Sequence, residues 1–299
     1  MAEDDVAIDR SLSDRVRLRL AGRVVAEYIF RPDTARIESP RPYARLTTLG
    51  GLPATGFRPV DHPWHHGLSL ALPCVGPDNF WGGPTYLSGR GYVDLPNHGR
   101  QIHRSFDRLT DGPVARLDQT LDWVTGHEEV VLTETRRLTA RPIDSKAWAL
   151  TWCSRLRNLT SQPLVIASPT VRGRPDAGYA GLFWRGPADF RGGRIVGPDG
   201  LVGQEARDSS AEWLAYLAPD QPVGVLMADA TPGRPHPWFV RSQEYAGLGP
   251  APFFHRETVV APAAELVLAV VLCLGDHDIA ARQGAAVALV AELDRAADR

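Results

Sequence analysis

The stretch Ala147-Trp148-Ala149-Leu150-Thr151-Trp152-Cys153-Ser154-Arg155-Leu156-Arg157-Asn158 decides the fold. Trp148, Leu150, Trp152 and Leu156 fall on one parity, and Ala149, Thr151 and Cys153 on the other. A period of two is that of a strand whose successive side chains point to opposite faces. Residues 101–106, 114–124 and 129–138 repeat the pattern upstream. Leu117, Leu121 and Trp123 share one parity there, and Val131, Thr133, Thr135 and Arg137 share one in the next segment. The centre of the chain therefore reads as an antiparallel meander.

Working outward, residues 15–30 read as a hairpin, with Val16, Leu18 and Leu20 set against Arg15, Arg17 and Arg19 and a turn at Ala21-Gly22. Further strands are predicted near residues 43–49, 67–72, 164–169, 179–185, 213–217, 223–229, 238–241 and 265–274. Residues 73–99 carry Gly, Pro and Asn without periodicity, together with Trp81, Tyr86, Tyr92 and His98. Structureless loops of that length usually have a purpose, so this one reads as a lid or pocket wall. Only the tail has helical spacing: Asp276 or Asp278 can cap a helix over 279–297. The fold class expected is all-β, a large antiparallel β-sandwich with a C-terminal α-helix, formed as one domain over 13–299 behind a disordered tail, 1–12.

The formal net charge of -2 gives no electrostatic reason to expect nucleic acid or an anionic membrane as partner. The longest strongly apolar run, 266–274, falls short of the roughly 20 residues of a spanning helix. The acidic N-terminus lacks a signal-peptide core, and Cys74, Cys153 and Cys273 are widely separated, so a cytoplasmic protein with reduced thiols is expected. Eight tryptophans suit sugar binding as readily as core packing.

Chemistry concentrates in Asp61-His62-Pro63-Trp64-His65-His66-Gly67, followed by Asp78-Asn79-Phe80-Trp81-Gly82-Gly83. Pro63 and its neighbours favour a loop over a helix. The histidines admit three readings. His62, His65 and His66 act as acid or hydrogen-bond donors toward a sugar, with no cofactor required; or they bind a divalent metal, with help from His103, His255, Asp61 or Asp78; or they fix a loop. Asn79 and Trp81 place polar groups beside a stacking platform. Arg185 and Arg241 each end an apolar strand, where an arginine either pairs with a carboxylate, Glu134 or Glu244, or is presented to a ligand.

The order Arg41-Pro42-Tyr43, Asp61-His62-Pro63-Trp64-His65-His66-Gly67-Leu68, Asn79-Phe80-Trp81, Gly99-Arg100-Gln101-Ile102-His103, Gly181-Leu182-Phe183-Trp184-Arg185 and His236-Pro237-Trp238-Phe239-Val240-Arg241 resembles the uncharacterised bacterial PmoA-like family, over residues 41–277. That family in turn resembles the galactose-mutarotase-like superfamily of large β-sandwiches, whose members mostly act on carbohydrates. In mutarotases a histidine acid and a carboxylate base work on the sugar ring. The commonest form of the motif is His-Pro-His-His-Arg-Gly, so Trp64 and His66 depart from it and His62 and His65 are the better-supported pair.

The resemblance implies a small-molecule carbohydrate as ligand and a functional association with a sugar oxidoreductase. It implies an isomerase, epimerase or lyase working by histidine-assisted proton transfer. The site set is then His62, His65 and His66 for catalysis, with Asn79, Trp81, His103, Arg185, Trp238 and Arg241 for substrate binding. The rivals are a metal-dependent oxygenase or hydrolase using the three histidines, and a noncatalytic sugar-binding module.

Overall fold

The computed structural model describes residues 5–297. Two eight-stranded antiparallel sheets pack face to face. The first runs, in spatial order, Val6–Asp9, Arg15–Leu20, Arg23–Ile29, Tyr43–Leu46, Leu68–Ala71, Gly181–Arg185, Gly247–Pro250 and Trp238–Arg241. The second runs Arg194–Val196, Trp213–Leu217, Gly224–Asp229, Glu265–Gly275, Trp148–Asn158, Val130–Pro142, Ala115–Val124 and Arg100–Thr110. The sandwich with a C-terminal helix is thus the architecture of the chain.

Trp148, Leu150, Trp152 and Leu156 enter the core between the sheets, where they meet Tyr28, Leu68, Leu182 and Trp184 from the first sheet. Ala149 and Cys153, of opposite parity, face outward, where the final helix Gln283–Ala297 lays Ala286, Leu289 and Val290 against Ala149, Val271 and Cys273. Asp276 caps the 3-10 turn His277–Arg282 that leads into this helix, accepting a hydrogen bond from the backbone N–H of Asp278. No helix among the described residues is long and apolar enough to cross a membrane.

Two expectations change. The N-terminal tail is not disordered from Val6 onward: Val6–Asp9 pairs with Arg15–Leu20 and buries Val6 and Ile8, while residues 1–4 lie outside the described residues. In the strand Val130–Pro142 the inward parity is Leu132, Glu134, Arg136 and Leu138, so an ion pair enters the core. Arg136 donates to both Glu134 oxygens at 2.7 and 2.8 Å, to Tyr28 Oη at 2.9 Å and to Gln101 Oε1 at 2.8 Å. Trp123 Nε1 and Ser154 Oγ also donate to Glu134, so both charges are enclosed and fully hydrogen-bonded.

Candidate functional site

The site lies on the outer face of the first sheet. Alternation along Gly181–Arg185 sends Leu182 and Trp184 into the core and turns Phe183 and Arg185 outward; along Trp238–Arg241 it sends Trp238 and Val240 inward and Phe239 and Arg241 outward. Phe183 and Phe239 join Trp81, Trp64, Tyr179 and Tyr245 in an aromatic cluster separate from the main core. Above it opens a cavity of about 440 Å³, walled by His62, His65, Trp64, Trp81 and Tyr245, with Arg174, Tyr92, Tyr179, Phe239, Arg241 and Glu244 on the other sides.

The histidine stretch is a loop, as Pro63 requires. His65 N–H closes a turn on His62 C=O at 2.9 Å. That turn stacks the two imidazoles with centroids 4.5 Å apart and planes 9° from parallel. His66 points the other way, donating from Nε2 to Glu38 Oε2 at 3.0 Å. Burial alone would raise the Glu38 carboxyl, but hydrogen bonds from His66 and Arg58 outweigh it and hold it below its usual range. Burial is also the main reason the His66 pKa is pushed down to about 4. His66 is thus a neutral structural donor in the wall's foundation.

The partners of the stacked pair assign their protons. Asp61 Oδ2 lies 2.7 Å from His62 Nδ1. Burial works against the ionised form of Asp61, but His62 and Arg185 more than offset it, so the carboxyl is held below its usual range. An ionised carboxylate can only accept, so His62 Nδ1 carries a proton, and in the neutral ring the lone pair is at Nε2. At His65 the order is reversed. Arg185 Nη1 lies 3.0 Å from His65 Nδ1, and a guanidinium can only donate, so His65 accepts at Nδ1 and carries its proton on Nε2. Complete burial, followed by the positive field of His62 whenever its ring is protonated and of Arg185, drives the His65 pKa well below the ordinary histidine value. A lone-pair base and an N–H donor therefore stand side by side.

Arg185 is the clamp behind this pair. It is 3 % exposed, spans both Asp61 oxygens at 3.1 Å, and lies 4.1 Å over the Tyr245 ring. Its carboxylate partner is Asp61, not Glu134, which is taken by Arg136, nor Glu244, which is exposed on the cavity rim. Arg185 reaches a ligand only through His65.

Trp81 is a wall residue. Asn79 supports it from below, accepting at Oδ1 from the N–H groups of Trp81 and Gly82 and donating to Gly83 C=O and Thr85 Oγ1. Gly83, at φ +67, presses on Trp64: a Cβ there would lie 2.5 Å from the indole. Arg41 ties the wall together by donating to the carbonyls of Trp64, Trp81, Glu38 and Ser39.

Of the residues expected at the site, the structure brings His62, His65, Trp81 and Arg241 to the cavity and sets Arg185 and Asn79 immediately behind it. Trp238 is placed elsewhere by strand parity: it is fully buried in the sandwich core and donates from Nε1 to Ala211 C=O. His103 belongs to the second sheet, held by Gln119 at 2.8 Å and packed on Phe30 and Phe106. The three histidines do not converge as a ligand set: His62 and His65 stack at the cavity, and His66 turns away toward Glu38. Among the described residues no group of three or more His, Cys, Asp or Glu is placed to hold a metal ion.

Tyr179, Tyr245, Arg174 and the role of Asp61 were not read from the sequence, whereas Tyr92 lies in the stretch 73–99 expected to be a lid or pocket wall. Tyr179 shares the parity of Phe183 and Arg185, and Asp61 adjoins His62, so those two left a signal; Arg174 sits on an irregular loop and left none.

Comparison with solved structures shows weak likenesses. An α-galactosidase from Lactobacillus brevis matches at TM-score 0.40 and 11% identity over 91% of this chain. This chain spans only 39% of that protein. The Slr1438 protein from Synechocystis sp. PCC 6803 matches at TM-score 0.39 and 11% identity, over 85% of this chain and 93% of that one. Comparison with curated proteins gives no match. A family model, described as a family of unknown function, DUF6807, matches residues 15–289, and nothing in that match carries the PmoA label. With nearly the whole sandwich inside the matched span, the chain belongs to the DUF6807 family.

Proposed function

We propose that the cavity is a catalytic site that moves a proton on a carbohydrate or sugar-derived metabolite, as an isomerase, an epimerase or a lyase does. The observation that carries this reading is the stacked His62 and His65 pair with opposite proton placement. His62 Nε2 removes a proton from the carbon beside a carbonyl. The imidazolium so formed is stabilised by Asp61 through Nδ1–H. His65 Nε2–H donates to the carbonyl oxygen, where negative charge develops as the enediolate forms. A neutral imidazole suits that role, since its strongly depressed pKa keeps it from arriving protonated. Returning the proton to the neighbouring carbon, as His65 Nε2 recovers its own from the second hydroxyl of the enediol, gives an isomer; protonation of the opposite face of the same carbon by water, with the abstracted proton lost to solvent, gives an epimer; and departure of a β-hydroxyl as water, carrying off the proton held on His62, gives an elimination product.

The cavity's size suits a single sugar unit. Trp64, Trp81 and Tyr245 offer flat apolar faces beside the polar imidazoles, the combination that a ring with one apolar side and hydroxyls at its edge requires. No metal enters this scheme.

The test is incubation of the purified protein with a panel of hexoses, pentoses and their acids in D2O, reading deuterium at carbon by NMR. Exchange should occur with at least one member. It should fall by about 10²–10⁴-fold in His62→Gln, the usual contribution of a general base. Tight binding with no exchange and no conversion would instead favour a noncatalytic sugar-binding module.

A further inference from the structure

Arg185 and Arg241 stand in one row across the first sheet. Arg185 is in register with Gly247 on one side of the strand Gly247–Pro250, and Arg241 is in register with the same Gly247 on the other side. Directly opposed residues on neighbouring strands point to the same face, and strands are spaced 4.7–4.9 Å apart, so the two arginine backbones lie about 10 Å apart. Between them Gly247 contributes no side chain. A Cβ there would come within 2.8 Å of the Tyr245 ring and 3.1 Å of the Phe183 ring. The row thus consists of two guanidiniums with an aromatic floor between them.

The two are held differently. Arg185 is neutralised by Asp61 and spent on His65. Arg241 is half-buried beside the cavity, lies 4.6 Å over the Phe239 ring, and donates only to carbonyls, Val240 at 3.0 Å and Asp176 at 2.8 Å. The carboxylate of Asp176 is turned to Arg207 instead, at 3.6 Å. Arg174, on the exposed rim of the same cavity, likewise donates to a carbonyl, that of Pro175. Among the described residues neither Arg174 nor Arg241 is paired with a carboxylate. Glu244 is the one acidic side chain lining the cavity, and it is exposed. Burial works against the Arg241 charge, and Glu244 and Asp176 offset it only from a distance, without a salt bridge, so a half-buried guanidinium with spare N–H donors gains when an anion docks directly on it.

We infer that the cavity takes an anionic sugar derivative, with its carboxylate or phosphate seated on Arg241 and Arg174 and its reacting carbons over His62 and His65. This inference rests on the proposed sugar site and adds the class of substrate to it. Arg241 offers the paired N–H geometry that a carboxylate or phosphate accepts in bidentate fashion.

The experiment is calorimetric titration of the full chain with matched probes: glucuronate and galacturonate against glucose and galactose, and glucose 6-phosphate as the phosphate arm. At least one acid should bind ten-fold or more tightly than its neutral counterpart, with an affinity that falls as salt rises. Arg241→Gln should bring the acid-to-neutral ratio toward one, and Arg241→Lys should keep part of the preference, showing that charge and not folding is lost. The carboxylate and phosphate arms identify which anion is recognised. Equal binding of acids and neutral sugars, no binding by any of the acids, or an equal loss of both in Arg241→Gln overturns the inference. The two proposals separate cleanly. Acid-selective binding without deuterium exchange removes the chemistry and keeps the anion subsite; exchange on neutral sugars alone does the reverse.

Discussion

His62 and His65 are the same residue type three positions apart, and what separates them is the partner each Nδ1 has been given. One faces a group that can only accept, the other a group that can only donate. Nitrogen-detected NMR of the protein should therefore show His62 as the Nδ1–H tautomer and His65 as the Nε2–H tautomer. His65 should stay neutral in acid where an ordinary histidine is protonated. In Arg185→Met the His65 signal should lose this preference, while the His62 assignment should persist as long as Asp61 is ionised.

His66 yields a prediction of another kind. Its folded pKa is depressed to about 4 from 6.5, so below 6.5 the unfolded chain takes up a proton that the folded chain refuses. Stability is then complete above 6.5 and falls as pH drops toward 4. Between pH 7 and pH 5 the loss from this group should be about 2 kcal/mol. Urea titrations at the two pH values should show it, and in His66→Gln, which can still donate to Glu38, the difference should shrink by that amount. The sequence marked the three histidines as belonging together but could not say that the third turns away. That turn depends on Glu38, a residue far off in the chain and inside a 3-10 turn with no pattern of its own.

At the scale of the element, strand parity decides which side chains can reach a ligand. The strand Trp238–Arg241 carries two residues expected to bind substrate, Trp238 and Arg241, and alternation delivers only Arg241, beside Phe239. The alternation was visible in the sequence; which parity faced outward was not, because both contain an aromatic. Gly247 is the element-scale test. Gly247→Ala should push Tyr245 or Phe183 aside and weaken ligand binding by more than ten-fold. The thermal stability should fall by only about 1–3 kcal/mol, the usual range for overpacking. Unchanged ligand affinity in a folded Gly247→Ala protein would show that the aromatic floor does not touch the ligand.

For the whole molecule, the sandwich was legible because hydrophobic alternation is a local signal that fixes strand and core together. The buried Glu134 and Arg136 were not legible, since charged residues on a strand read as its solvent side until Tyr28 and Gln101 supply partners from across the core. This ion pair joins the two sheets through Tyr28. Arg136→Met should cost about 3–5 kcal/mol by leaving Glu134 buried and unpaired, whereas replacing both residues with leucine and methionine together should cost markedly less. Denaturant melts of the single and double variants measure the difference.

Arg41 has a consequence for how the cavity can move. Its single guanidinium holds the carbonyls of Trp64 and Trp81 at 2.7 and 2.9 Å, so the loops bearing those two rings share one rivet and must swing together or not at all. The opposite side is fastened at one end: the hairpin of Thr85–Leu87 and Gly91–Val93 is anchored at its base by Thr85 Oγ1, which accepts from Asn79 and donates to Asn97, while its tip meets the body through exposed hydroxyl contacts, Tyr92 with Tyr179 and Tyr86 with Gly173 C=O. Amide hydrogen exchange should accordingly find residues 86–92 quicker to open than the backbone around Trp64 and Trp81.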